Sequence, residues 1–236
     1  MLTATGLTVH YGSREVLHGV DVTVSSGELL AVLGANGSGK STMLRAAAGL
    51  TPADGTVTVD GRRRGPLDIA LVFQRIHLVG RRSALENVCT GALGRLPLHR
   101  SLTPALFPRS VREEAMACLE RVGLADRAHD RASGLSGGQQ QRVAIARALC
   151  QRAPVVLADE PVSALDPAAA EQVLELLAEL AHTERLAVLA VLHQPDLARR
   201  YADRIVGLHD GSVVLDGDPT QPVDSLYPHA LLETSS

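Results

Sequence analysis

The residues in this chain that could do chemistry begin with Gly34-Ala35-Asn36-Gly37-Ser38-Gly39-Lys40-Ser41-Thr42. This run fits G-x-x-x-x-G-K-[ST], a loop whose backbone wraps the phosphates of a nucleotide. Its glycines allow the tight turn that aims successive N–H groups at an anion. A helix expected to start near Gly39 points its positive end at the same place. Lys40 offers a mobile point charge for the β- and γ-phosphates, and the Ser41 hydroxyl can coordinate Mg²⁺. Lys40 is also the only lysine in the chain. A composition that otherwise uses arginine places an ammonium at the one position where a flexible cation is wanted.

Four further groups match that loop. Val155 to Ala158 is an apolar run ending in Asp159-Glu160-Pro161. A carboxylate at the carboxyl end of a strand beside such a loop is where Mg²⁺ is held, which suits Asp159. Glu160 projects differently and suits a base that orients and deprotonates a water. His193 ends the apolar run Leu186–Leu192, at the same sheet edge, and is read as a γ-phosphate contact. In Leu135-Ser136-Gly137-Gly138-Gln139, Ser136 can cap the helix read over 140–152, and the two glycines leave N–H groups open to an anion. That is a second phosphate-binding device, which a single pocket does not need. Tyr11 offers an aromatic face to an adenine or packs on a sheet; spacing alone does not decide. Arg62-Arg63-Arg64 could grip an anion but reads as a solvated turn.

The elements that must position these groups are legible from periodicity. Leu7–Tyr11 and Val20–Val24 alternate as strands, and Leu29–Leu33, before the loop, reads as a buried one. Thr42–Ala48 reads as a helix ended by Gly49. Residues 51–61 read as a hairpin-like strand, and Ile69–Phe73 as a strand with Gln74 at its end. From about 78 to 132 the texture turns helical and arginine-rich, interrupted by Pro97, Pro104 and Pro108; Val111–Val122 has helical spacing and closes at Gly123. Asp166 and Pro167 stand as N-cap and first residue of a helix running to Ala181. Residues 204–217 return to strands around an Asp210-Gly211 turn.

Bulk properties narrow the class. With 236 residues and 45% apolar content, the chain can bury a large α/β core. A net charge of −3 gives no broad reason to bind nucleic acid. Cys89, Cys118 and Cys150 are distant in sequence and read as reduced, structural thiols. The N-terminus lacks a signal-peptide pattern, and no stretch approaches the ~20 apolar residues needed to span a bilayer. A membrane role would come through a partner.

Taken together, the loop at 34–42, Gln74, Leu135–Gln139, Asp159-Glu160-Pro161, Ser163-Ala164-Leu165-Asp166 and His193 resemble, in order and spacing, the ATP-binding subunit of an ABC transporter over nearly the whole chain. The resemblance implies one domain over 1–236. Its fold would be an α/β P-loop NTPase (RecA-like) core with an N-terminal antiparallel β-subdomain (1–77 and 153–217), an inserted helical subdomain (about 78–152) and a short tail (218–236). It implies ATP and Mg²⁺ as ligands, with Gln74 sensing the ion and water and passing motion to a permease. Tyr11 takes the adenine-stacking position. A second copy would bind head to tail, its Ser136–Gln139 closing on ATP held by the first copy's loop. Within the family, Leu78–Ser83, Asn87–Arg95, Pro97, Arg100-Ser101-Leu102 and Tyr201–Leu208 resemble the phosphonate importer ATPase. This implies a peripheral subunit at the cytoplasmic face of the inner membrane, working with permease subunits and indirectly with a solute-binding protein.

Other classes fit less well. A GTPase switch reads guanine with a second lysine, and none remains after Lys40. A DNA-repair or translation ATPase of the same superfamily would carry coiled coils or two nucleotide domains. A small-molecule kinase leaves Leu135–Gln139 unexplained, and a pure binding module leaves Glu160 unexplained. An ATPase serving a different solute or an exporter is the nearest alternative.

Overall fold

The computed structural model describes residues 1–97, 107–223 and 226. Pro104, Arg100-Ser101-Leu102 and most of the tail beyond 223 lie outside the described residues. Two sheets organise the chain. The first is antiparallel, in the order β2-β1-β4-β5, built from β1 (Leu2–Tyr11), β2 (Arg14–Val24), β4 (Asp54–Val59) and β5 (Arg62–Arg63). The second is ordered β10-β9-β3-β8-β7-β6 and holds β3 (Glu28–Leu33), β6 (Ile69–Val72), β7 (Val155–Asp159), β8 (Ala187–Val191), β9 (Arg204–His209) and β10 (Ser212–Gly217). Strands β9, β3, β8, β7 and β6 run parallel, and β10 closes one edge antiparallel.

Burial on both faces explains the unbroken apolar runs in β3, β7 and β8. Leu29, Ala31 and Leu33 face the helical side, whereas Leu30 and Val32 face the antiparallel sheet and helix α1 (Lys40–Ala48). The helical side holds α2 (Ala84–Cys89), α3 (Arg109–Arg121), α4 (Gly137–Cys150), α5 (Pro167–Glu184) and α6 (Pro195–Tyr201). Helix α3 buries Val111, Ala115, Cys118 and Leu119 as its spacing predicts, and Gly123 ends it at φ 69. All three cysteines are buried free thiols in one cluster of that layer, and burial pushes the Cys89 thiol up to about 11. Distant in sequence, they come together because α2, α3 and α4 pack on one another.

Several local expectations shift. Arg62-Arg63 is not a free turn: it pairs with Thr58-Val59 as a short strand, and Arg64 donates to the Ala48 carbonyl at the end of α1. An arginine supplying a helix C-terminus with a donor satisfies an otherwise orphaned carbonyl. Helix α4 starts at Gly137, three residues earlier than the expected start at Gln140, and α5 runs on to Glu184. Helix α6 was not legible, because seven residues give too short a window for helical periodicity. Asp166 does cap α5, its Oδ1 accepting from the Ala169 N–H at 3.0 Å, with Pro167 following. Asp166→Ala should therefore lower stability by ~1 kcal/mol, a drop in Tm of roughly 2–4 °C for a chain of this size. Calorimetry of the nucleotide-free chain checks this, and an unchanged Tm would remove the cap from the account.

Candidate functional site

Parallel register brings the chemistry to one edge. Val72 pairs with Ala158, Asp159 with Val191, and Val32 with Val191, so Gln74, Asp159-Glu160, His193 and the 34–42 loop all follow the carboxyl ends of adjacent strands. Ligands of open α/β sheets bind there. A cleft of about 300 Å³ lies at this edge, with Asn36, Gly37, Lys40, Ser41, Thr42, Glu160 and His193 on its wall.

The loop is held in its turn from outside. Gly39 caps α1 at φ 102, and a Cβ there would stand 2.8 Å from Leu17. At Gly34 a Cβ would meet the Leu208 carbonyl oxygen at 2.2 Å, so only glycine lets β9 pass this close. Ser38 donates its N–H to the Ala35 carbonyl, and its own carbonyl accepts from Gly211 at 3.0 Å, tying the loop to the β9–β10 turn. Its hydroxyl is buried and, among the described residues, has no hydrogen-bond partner.

Lys40 is 5% exposed and bonds the Gly34 and Ala35 carbonyls at 2.8 and 2.9 Å. Burial lowers its pKa, while the nearby Glu160 and Asp159 carboxylates act the other way. Ser41 Oγ donates to Asp159 Oδ1 at 2.8 Å, so a hydroxyl and a carboxylate oxygen already stand side by side. Arg45 lies 3.9 Å from the other Asp159 oxygen. Glu160 sits at φ 51, a left-handed conformation uncommon outside glycine and concentrated at functional sites. Its Oε1 meets His193 Nε2 at 2.5 Å.

Among the described residues, the hydrogen bond of Gln74 goes to neither Asp159 nor Ser41. Its Nε2 donates to Ser163 Oγ at 3.1 Å, and that hydroxyl donates to the Glu160 carbonyl at 3.2 Å. Behind Gln74, Arg147 of α4 donates to the Ile76 and His77 carbonyls at 3.1 Å, and burial lowers its pKa. The segment after Gln74 is thus held by the helix that begins with Gly137.

Ser136, Gly137, Gly138 and Gln139 do not line this cleft. Ser136 and Gln139 form a reciprocal capping box at the start of α4: Ser136 Oγ accepts from the Gln139 N–H, and Gln139 Oε1 accepts from the Ser136 N–H. A Cβ on Gly138 would stand 3.0 Å from Ala169, so its first turn packs closely on the start of α5. Tyr11 is 51% exposed at the end of β1. Sequence reasoning missed Arg14 and Val16, which line the cleft, and named Ser163 only as part of a motif, without its link from Gln74 to Glu160. The signal for Arg14 was there: a two-residue turn, Gly12-Ser13, places it directly opposite Tyr11.

A glycine-rich loop between a buried parallel strand and a helix, facing a carboxylate on the next strand but one, defines a P-loop nucleotide-binding protein. The chain belongs to the ABC transporter family, matching it over residues 17–163. It is 52% identical over 226 residues to a phosphonates import ATP-binding protein, PhnC, of Frankia casuarinae, covering 89% of this chain and 87% of that protein. To a hypophosphite import ATP-binding protein, HtxD, of Stutzerimonas stutzeri it is 45% identical over 234 residues, covering 94% and 68%. A dimeric ATP-binding cassette solved in a post-hydrolysis state with ADP and phosphate superposes at TM-score 0.75 and 33% identity, covering 94% of this chain and all of that one.

Proposed function

We propose that this chain is the ATP-hydrolysing subunit of an importer for phosphonates or closely related small phosphorus oxyanions, and that it works as a head-to-tail pair. One observation carries the pairing. Ser136 and Gly137 are exposed at the start of α4 and away from the chain's own cleft, so this second anion-binding device is free to complete another copy's pocket. The dimeric assembly of the solved cassette and the import role of the relatives support the same reading.

In this reading Tyr11 stacks on the adenine, and Gly34, Ala35, Asn36, Gly37, Ser38, Gly39, Lys40, Ser41 and Thr42 wrap the phosphates. The oxygens of Ser41 and Asp159 fit a hard divalent cation, and with Gln74 they would hold Mg²⁺, which neutralises charge on the phosphate oxygens when bound. Glu160 takes the proton of the attacking water. His193, held by Glu160, contacts the γ-phosphate. Ser136, Gly137, Gly138 and Gln139 of the second copy close the far side. The permease subunits would dock in the groove lined by Leu50, Leu67, Phe73, His77, Gly94 and Arg147, between the core and the helical layer. Arg147 then couples that groove to Gln74 and, through Ser163, to Glu160. A solute-binding protein would act at the opposite end of the permease, and no nucleic acid takes part. Among the described residues no helix is long and apolar enough to cross a membrane; a peripheral subunit at the cytoplasmic face of the inner membrane fits this.

Pairing is tested by Ser136→Cys and Gly37→Cys in one chain. With ATP and a mild oxidant, a disulfide-linked dimer should form, and without ATP it should not. Absence of the ATP-dependent product sinks the pairing. Import is tested by reconstituting the chain with its permease and solute-binding protein in vesicles. Methylphosphonate uptake that needs ATP is expected; uptake of hypophosphite or phosphate alone would move the solute within the class, and uptake of none would reject it.

A further inference from the structure

We infer that Arg14 is a second cationic contact for the nucleotide's phosphate chain, supplied from the antiparallel sheet rather than from the phosphate loop; this rests on the cleft being the nucleotide site. Three observations converge on Arg14. It lines the cleft together with Asn36, Gly37, Lys40 and Glu160. It is directly opposite Tyr11 in the β1–β2 hairpin, and directly paired residues of an antiparallel ladder put their side chains on one face, with Cβ atoms about 4.5–5.5 Å apart. It is exposed, and among the described residues its guanidinium has neither a carboxylate nor a hydrogen-bond partner. Arg45, by contrast, faces Asp159.

Charge balance says what such a group is for. The cleft holds one ammonium, Lys40, which faces the carboxylates of Glu160 and Asp159. On the cleft wall Glu160 offsets that lysine, Asp159 is faced by Arg45 as well, and a polyphosphate adds negative charge that a further cation would balance. Arg14 is the only other permanently cationic residue on the cleft wall among the described residues. A planar guanidinium offers two parallel donors to phosphate oxygens, which an ammonium cannot do. Geometry fixes where it acts. Gly12, at φ 63, supplies the left-handed first position that a two-residue hairpin turn needs. The turn therefore presents Tyr11 and Arg14 as one unit, an aromatic face for the base beside a cation for the phosphates. The hairpin would select a purine carrying a phosphate chain rather than either part alone.

The test is equilibrium binding of ATP and of ADP to the full chain, at a protein concentration where it sediments as a monomer. R14A should raise both dissociation constants roughly fivefold to tenfold, as expected for one exposed charge-assisted contact. R14E should raise them further, and R14K should recover part of the loss, since it restores the charge but not the two parallel donors. Affinity should also fall less steeply with added KCl in R14A than in the unmodified chain, because one screened contact is gone. If R14A binds both nucleotides within twofold of the unmodified chain while K40A loses affinity, Arg14 has no such role and the nucleotide site stands. A loss that R14K shares and that salt does not modulate would mean Arg14 only props Tyr11, which also overturns the inference. Should K40A bind as tightly as the unmodified chain, the nucleotide-site reading itself fails.

Discussion

Glu160→Gln is expected to cut steady-state ATP hydrolysis by two to four orders of magnitude, the range a general base contributes, while leaving ATP affinity within a few-fold. The substitution is nearly isosteric. It keeps one oxygen to orient a water but removes the group that accepts the water's proton. The backbone at φ 51 is unaffected, since the amide has the same steric demand as the acid. Its partner His193 keeps an acceptor in the amide oxygen. If two copies close on ATP and open after hydrolysis, the variant should accumulate as an ATP-bound dimer, visible as a shift in sedimentation that depends on ATP. Turnover within threefold of the unmodified chain would take the base role away from Glu160. A trapped dimer with normal turnover would do the same. Loss of turnover without trapping would leave the base in place and remove only the opening step.

The residues on which these expectations rest are largely legible in the amino-acid sequence, for a physical reason. Phosphate binding by a backbone needs glycines at particular positions, and parallel strands buried on both faces need unbroken apolar runs. Both leave a mark within a short window of residues. What stays concealed depends on long-range pairing. Arg14 reads as one more surface arginine until the hairpin sets it opposite Tyr11 and the cleft sets it beside Lys40. Ser163 is an ordinary turn residue until β6 and β7 align and put it within reach of Gln74. The three cysteines are unrelated in sequence until three helices pack together. Arg64 reads as solvated because the end of α1, whose carbonyl it satisfies, lies 16 residues away. Helix α6 escapes because it is short, not because it is irregular. Its start signal, Pro195 at the first position, is present, but Pro161 follows a strand end and starts no helix, so a proline alone does not decide.

Lys40→Ala should weaken ATP binding by roughly 10- to 100-fold, the range for losing hydrogen bonds between a charged donor and a charged acceptor. The ammonium donates to the Gly34 and Ala35 carbonyls and is almost completely buried. Arriving phosphate oxygens must compete with those carbonyls, and they win because they carry charge and the carbonyls do not. Losing the side chain leaves the two carbonyls facing the cleft, where water can reach them, so the fold itself should survive. The thermal midpoint of the nucleotide-free variant should stay within a few degrees of the parent, which separates lost binding from lost structure. Lys40→Arg should not rescue affinity. The guanidinium is wider than an ammonium, and the loop closes around the shorter group with Gly39 already packed on Leu17. Fluorescence titration with a labelled ATP measures all three proteins, and an unaltered dissociation constant in Lys40→Ala would mean that the only lysine of the chain does not hold the phosphates.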